Sequence, residues 1–201
     1  MNIEFIPLIS FVLISTFTPG PNNISSTSMG ILYGYRKTLD FLAGITVGFF
    51  LVMMACAFLS SSLLTLLPEA EKYLRWAGAL YIIHLAVTTL RTSYSFSESG
   101  KDPKAFKKGF VLQLFNPKVA VYGITLYSTF LAPVSNRIDL LVIFALIFST
   151  VAFAATSTWA LSGSVIKNKL QNDSFRKAVN GFLCLTLVYT ALDLSGIFTL
   201  L

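Results

Sequence analysis

The sequence predicts an all-α membrane protein of six transmembrane helices, built as two inverted halves of three. Three observations carry this: how much of the chain is apolar, how the apolar residues run together, and where the basic residues fall between the runs. Of 201 residues, 55% are hydrophobic and 12% charged, with a mean hydropathy of +0.73. A soluble surface needs more charge than that. The apolar runs over 41–67 and 138–161 each exceed the roughly 20 residues that cross a hydrocarbon core about 30 Å thick.

The runs and their polar interruptions place six spans at about 5–33, 41–67, 73–91, 108–132, 138–162 and 178–200, making one transmembrane domain over 1–201 with half-repeats of about 1–97 and 104–201. The first span opens on Met1, Asn2, Ile3 and Glu4. An acid stands where a signal peptide carries basic residues, so this span is expected to stay as a helix. The first, third and fifth loops hold eleven of the 15 Lys and Arg residues: Arg36 and Lys37; Arg91, Lys101, Lys104, Lys107 and Lys108; Lys167, Lys169, Arg176 and Lys177. Basic residues favour the cytoplasmic side, so six helices with both ends periplasmic, in a bacterial inner membrane, fit this alternation.

Several function classes are disfavoured. Cys56 and Cys184 lie in separate apolar segments without Cys-x-x-Cys spacing, which fits packing and argues against a thiol–disulfide carrier. The net charge of +6 is scattered over short loops, so no nucleic-acid face is expected. No phosphate-binding glycine loop, nucleophile elbow or His-Glu-x-x-His pair occurs, so neither an ATP-driven machine nor an enzyme is expected, and no cofactor. One histidine without clustered acids or thiols gives no metal site. A transporter of another solute, such as a metal cation, and a passive channel are the competing readings.

Three helices before the long polar loop and three after it make the second half enter from the opposite side, the plan of many secondary transporters. The first span carries Thr18-Pro19-Gly20-Pro21-Asn22-Asn23 near its middle, and the fourth carries Phe115-Asn116-Pro117-Lys118. Proline removes a donor and clashes with the preceding turn, so both helices should break at corresponding places. Freed carbonyls and amides in lipid must face protein, water or a ligand. Pro19, Gly20, Pro21, Asn22, Asn23, Asn116, Pro117 and Lys118 are therefore the expected substrate-binding residues. Each break alone would also read as a packing kink.

Asn22, Asn23 and Asn116 can donate and accept, which suits a zwitterion; Asn23 would equally serve to satisfy the broken backbone. Amides after Pro21 would bind a carboxylate, and the carbonyls before it an ammonium. Lys118 lies deep in its span, where a cation is costly and marks a substrate or ion path, either attracting a carboxylate or relaying a proton; it would otherwise snorkel to an interface or pair with backbone carbonyls. Asp40, His84 and Asp193 are the candidates for proton coupling. Asp40 also reads as an interfacial partner of Arg36, and His84 as an interhelical hydrogen-bonding residue. Gly30-x-x-x-Gly34 and Gly44-x-x-x-Gly48 read as close-packing faces, on which a homodimer is also conceivable. Thr156-Ser157-Thr158 is expected to bond between helices.

These residues resemble the LysE/RhtB family of amino-acid exporters over the whole chain. The resemblance lies in Pro19-Gly20-Pro21-Asn22, in Gly34-Tyr35-Arg36 followed by Gly44-x-x-x-Gly48, in Trp76-Ala77-Gly78-Ala79-Leu80-Tyr81, and in Asn116-Pro117-Lys118. Asn22-Asn23-Ile24, Leu42-Ala43-Gly44 and Tyr122-Gly123 look most like the branch exporting cysteine and O-acetylserine. Thr38 stands where the family has a glycine after the basic pair. The resemblance implies efflux of small amino acids or their derivatives, driven by the proton gradient.

Overall fold

A computed structural model describes residues 3–66, 76, 79, 80, 82–84, 86, 87, 90, 104–166, 169 and 172–195, with the backbone alone for 60–66 and 193–195. Its elements are helical, and no strand occurs among the described residues. Most of the predicted third span lies outside them.

The first predicted span is two helices, α1 (Phe5–Phe17) and α2 (Pro21–Tyr33), bent by 45° across Thr18, Pro19 and Gly20. The break follows from local sterics. A residue before proline is pushed out of the α region by the ring's Cδ. Thr18 precedes Pro19 and takes ψ 140°; Gly20 precedes Pro21 and is fully extended at φ −175°, ψ 177°. Pro21 then starts α2, where a missing N–H costs nothing. Gly34, at φ 77°, turns the chain from α2 into α3 (Tyr35–Leu66).

The fourth predicted span repeats the device. α4 (Ala105–Leu114) ends, Asn116 before Pro117 is extended at φ −84°, ψ 101°, and α5 (Pro117–Thr125) begins. A π-helical turn over Leu126–Phe130 and a short 3-10 turn over Ala132–Val134 complete it. α6 (Ile138–Ile166) and α7 (Asp173–Ser195) follow. By length and composition, Tyr35–Leu59 and Ile138–Ile166 can each cross a membrane, and α1 with α2 can do so as one broken span.

The outside of this bundle is apolar. Ile6, Ile9 and Ile14 of α1, Val47, Leu51 and Phe58 of α3, Leu146 and Val165 of α6, and Leu185 of α7 are exposed. Buried polar residues such as Asn23, Gln113, Asn116 and Thr156 lie inside, the distribution that lipid as solvent calls for. Exposed hydroxyls on α6 are hidden in the helix: Thr150, Thr158 and Ser162 each donate to the carbonyl four residues back, at 2.9 Å. Thr156 does likewise, to Ala152 and Phe153, so the expected interhelical bonds of Thr156 and Thr158 are intrahelical. The reason is reach: a short hydroxyl meets its own preceding turn before a neighbouring helix.

Two helix pairs touch backbone to backbone. A Cβ on Gly30 would lie 2.1 Å from the Ala160 carbonyl oxygen, and one on Gly163 2.2 Å from that of Thr27, which locks α2 to α6. A Cβ on Gly44 would lie 2.1 Å from the Phe106 oxygen, and one on Gly109 2.1 Å from that of Phe41, which locks α3 to α4. Both crossings fall on the side of the breaks that carries Gly34 and Lys104. Gly48 packs on the side chain of Gln113. Gly34, expected as part of a packing face, meets nothing within 4 Å, because its positive φ spends it on the turn. On the other side of the breaks α1, α3, α5 and α6 are joined by side chains alone, through Phe49, Met53, Tyr122, Leu126 and Phe148.

Gly109→Ala must push α3 and α4 apart, an overpacking cost of about 1–3 kcal/mol, and is expected to lower the melting midpoint in detergent by several degrees. Gly181→Ala, with nothing within 4 Å of the added carbon, is the control and should leave the midpoint unchanged or slightly raised. Equal responses of the two variants would refute the backbone-contact account.

Candidate functional site

Breaking α1 leaves a run of carbonyls without helical partners, and four other helices supply donors to them. The Asn23 side-chain amide of α2 donates to the carbonyls of Thr16 and Thr18, at 2.9 Å each. The Trp159 indole N–H of α6 donates to Phe17 at 3.2 Å. The Lys118 ammonium of α5 donates to Thr18 at 3.3 Å and to Pro19 at 3.2 Å. The Thr190 hydroxyl of α7 shares its one proton between its own Thr186 carbonyl at 2.8 Å and the Pro19 carbonyl at 3.0 Å. The ammonium also sits where the negative end of the α1 dipole favours a cation.

Gly20 makes room for that lysine. A Cβ there would stand 3.1 Å from Lys118 Cδ and 3.2 Å from Nζ. At this position glycine is favoured by the space the lysine side chain takes, since the extended backbone is open to any residue.

The second break is joined to the first by a chain of side-chain amides. The backbone N–H of Lys118 donates to Asn116 Oδ1 at 3.2 Å, so the other end of that amide must be a donor. Asn116 Nδ2 donates to Asn22 Oδ1 at 2.9 Å, and Asn22 Nδ2 in turn donates to Gln113 Oε1. Gln113 is fully buried against Gly48, and its Nε2 meets no acceptor among the described residues. One backbone donor thus sets the polarity of all three amides and leaves a donor over at the far end, at a cost of about 1–3 kcal/mol.

A cavity of about 50 Å³ opens at the breaks, lined by Ser15, Thr16 and Thr18, by Gly20 to Asn23, and by Phe49, Asn116, Lys118, Val119, Tyr122, Ala152 and Thr156. Of the expected substrate residues, Gly20, Pro21, Asn22, Asn23, Asn116 and Lys118 line it; Pro19, whose carbonyl accepts from Lys118, and Pro117, which starts α5, are not among the lining residues.

Of the expected proton carriers, Asp40 and His84 are not brought there. Asp40 sits near the start of α3, nine residues before Phe49, about 13 Å along the axis at 1.5 Å per residue. His84 is exposed on its helical stretch, and the Asp193 side chain lies outside the described residues. Gln113, Thr190 and Trp159 were missed by sequence reasoning. Gln113 was the findable one: a glutamine in an apolar helix, one turn before Asn116-Pro117, is a polar group needing a partner.

The amide chain gives a test. Asn22→Ala and Asn116→Ala are each expected to lower the melting midpoint, and the double variant by clearly less than the sum, reflecting a coupling of about 0.5–3 kcal/mol. Additive shifts would mean the two amides do not hold each other.

The family model of the LysE type translocator matches residues 13–195. The cysteine/O-acetylserine efflux proteins of Escherichia coli (strain K12), Shigella sonnei (strain Ss046) and Shigella flexneri are each 34% identical to the chain over 182 residues, covering 90% of it and 92% of their own length. No solved structure matches. With a family model spanning both broken helices and relatives aligned over nearly their whole length, this chain belongs to the LysE family of membrane translocators, proteins of amino-acid efflux.

Proposed function

We propose that the chain is a secondary exporter of small neutral amino acids or their derivatives, resembling cysteine and O-acetylserine or, next, threonine and homoserine. It works by proton-coupled alternating access about a site at the two breaks. Six helices in a 3+3 inverted arrangement, placed in a bacterial inner membrane with both termini periplasmic, are part of this reading. The distribution of Lys and Arg supports it, together with the matching breaks at Thr18–Gly20 and Asn116.

The observation that carries the proposal is the direct bond from Asn116 to Asn22, which ties the two breaks together at the cavity. The site offers both halves of a zwitterion a partner. Pro21 has no N–H, so the first free amides of α2 are those of Asn22 and Asn23, and with the helix dipole they favour a carboxylate. The carbonyls of Thr18 and Pro19 favour an ammonium. Apolar and aromatic walls from Phe49, Val119, Tyr122 and Ala152 suit a short side chain.

The test is solute counterflow in proteoliposomes with labelled cysteine, O-acetylserine, threonine, homoserine and lysine, and manganese as the cation control. Exchange of the small neutral amino acids is expected. Asn116→Ala should lower it by roughly tenfold or more, the factor that about 1.4 kcal/mol of lost contact gives. Arg137→Ala, which opens an exposed ion pair with Asp139, should leave it unchanged. Movement of manganese with silence for every amino acid would overturn the substrate class.

A further inference from the structure

Of the buried side-chain polar atoms left without a hydrogen-bond partner among the described residues, the Tyr122 hydroxyl is the one on a residue that lines the cavity. Packing does not account for it. The ring stacks on Phe11, with centroids 5.5 Å apart, and lies tilted against Phe49 at 6.0 Å. A phenylalanine would make both contacts and bury no unpaired polar group. Tyr127, also buried, donates to the Leu141 carbonyl at 3.4 Å; Tyr122, only 8% exposed, has no such outlet.

The Thr16 side chain stands beside that hydroxyl, and Thr16 lines the cavity too. We propose that the Thr16 and Tyr122 hydroxyls form the seat for the side chain of the transported amino acid. The seat selects side chains that carry a hydrogen-bonding oxygen or sulfur over apolar ones of the same size. This deepens the exporter reading above and rests on it.

The placement follows from α5. Lys118 and Tyr122, four residues apart, share one face of that helix, about 6 Å apart along the axis at 1.5 Å per residue. Long helical side chains lean toward the N-terminal end of their helix, which for α5 is the break at Asn116 and Pro117. The phenol is thereby carried back toward the break, and Thr16 meets it from the last turn of α1. With its charged groups at the break, a substrate would run its side chain between α1 and α5 to the two hydroxyls. Phe49, Val119 and Ala152 line that course with apolar side chains.

The tyrosine oxygen is closed to solvent in this conformation, so the substrate reaches it by turning the Thr16 side chain. Threonine populates two χ1 wells in a helix, which makes that turn a local event. A substrate oxygen then accepts from both hydroxyls, and the phenol proton gains the acceptor it lacks. An apolar side chain of equal size leaves that proton unpaired, and a polar group stranded in this way discriminates where apolar contact cannot.

The experiment is solute counterflow in proteoliposomes of the full chain, with two isosteric pairs of labelled amino acids: homoserine against norvaline, and reduced cysteine against 2-aminobutyrate. Each pair replaces a polar tip by a methyl group. The unmodified protein is expected to exchange homoserine about tenfold or more better than norvaline. Cysteine should lead 2-aminobutyrate by a smaller factor, since sulfur is the weaker acceptor. Tyr122→Phe, which keeps both ring contacts, should shrink the homoserine preference to about threefold or less, and Thr16→Val should shrink it from the opposite wall. The ratio within a pair is the readout, because a merely structural tyrosine would lower both members together. Equal exchange of homoserine and norvaline by the unmodified protein, a preference that survives in either variant, or loss of all exchange in both variants would overturn the side-chain seat while leaving the exporter intact. Silence of the unmodified protein for every amino acid would overturn both readings.

Discussion

The architecture depends on one steric rule acting in a solvent that forgives nothing. A residue before proline is disfavoured in the α region, and three such residues, Thr18, Gly20 and Asn116, stand where apolar helices would otherwise continue. In water the carbonyls released by such a break would be hydrated. In a bilayer they must be met by protein, so the sequence has to deliver donors to one small volume from distant segments. Asn23, Lys118, Trp159 and Thr190 come from four different helices to do this. The break at Thr18–Gly20 is thus the point on which the helices converge.

The two breaks are also tied in a fixed sense. Amides can face either way, and a chain of three has no intrinsic direction. Here the Lys118 backbone N–H, which can only donate, fixes Asn116, then Asn22, then Gln113. The pieces of the two broken helices are held by a directional thread as well as by apolar packing. The direction decides that the oxygens of Asn22 and Asn116 are engaged and that a donor remains at Gln113.

Much of this was legible in the sequence, and the reasons are physical. Long apolar runs and proline positions are local signals, and they located α1, α2, α4, α5 and α6 within a few residues, whereas α3 starts at Tyr35, earlier than its apolar run. The candidate site was legible because breaks in lipid have to be satisfied, which singled out Asn22, Asn116 and Lys118 without knowledge of any contact. Gly34 was misread because spacing cannot tell a turn from a packing face; its φ of 77° decides. Thr156 and Thr158 were misread because a hydroxyl in a helix has its own carbonyls within reach. Trp159 and Thr190 were illegible for a different reason: which residue of a remote helix reaches a given carbonyl is a matter of tertiary register, and no local pattern encodes it.

The uneven use of glycine has a consequence for how such a chain diversifies. On the side of Gly34 and Lys104, helices meet at their backbones, at Gly30, Gly163, Gly44 and Gly109, where one added carbon displaces a whole helix. On the other side, around Phe49, Val119, Tyr122 and Ala152, contact is made by side chains, and one can be exchanged for another of different volume while the frame stays put. Frame and lining are therefore under separate constraints. The cavity can be resculpted residue by residue for a new solute, and the scaffold that keeps the chain folded need not be reinvented each time.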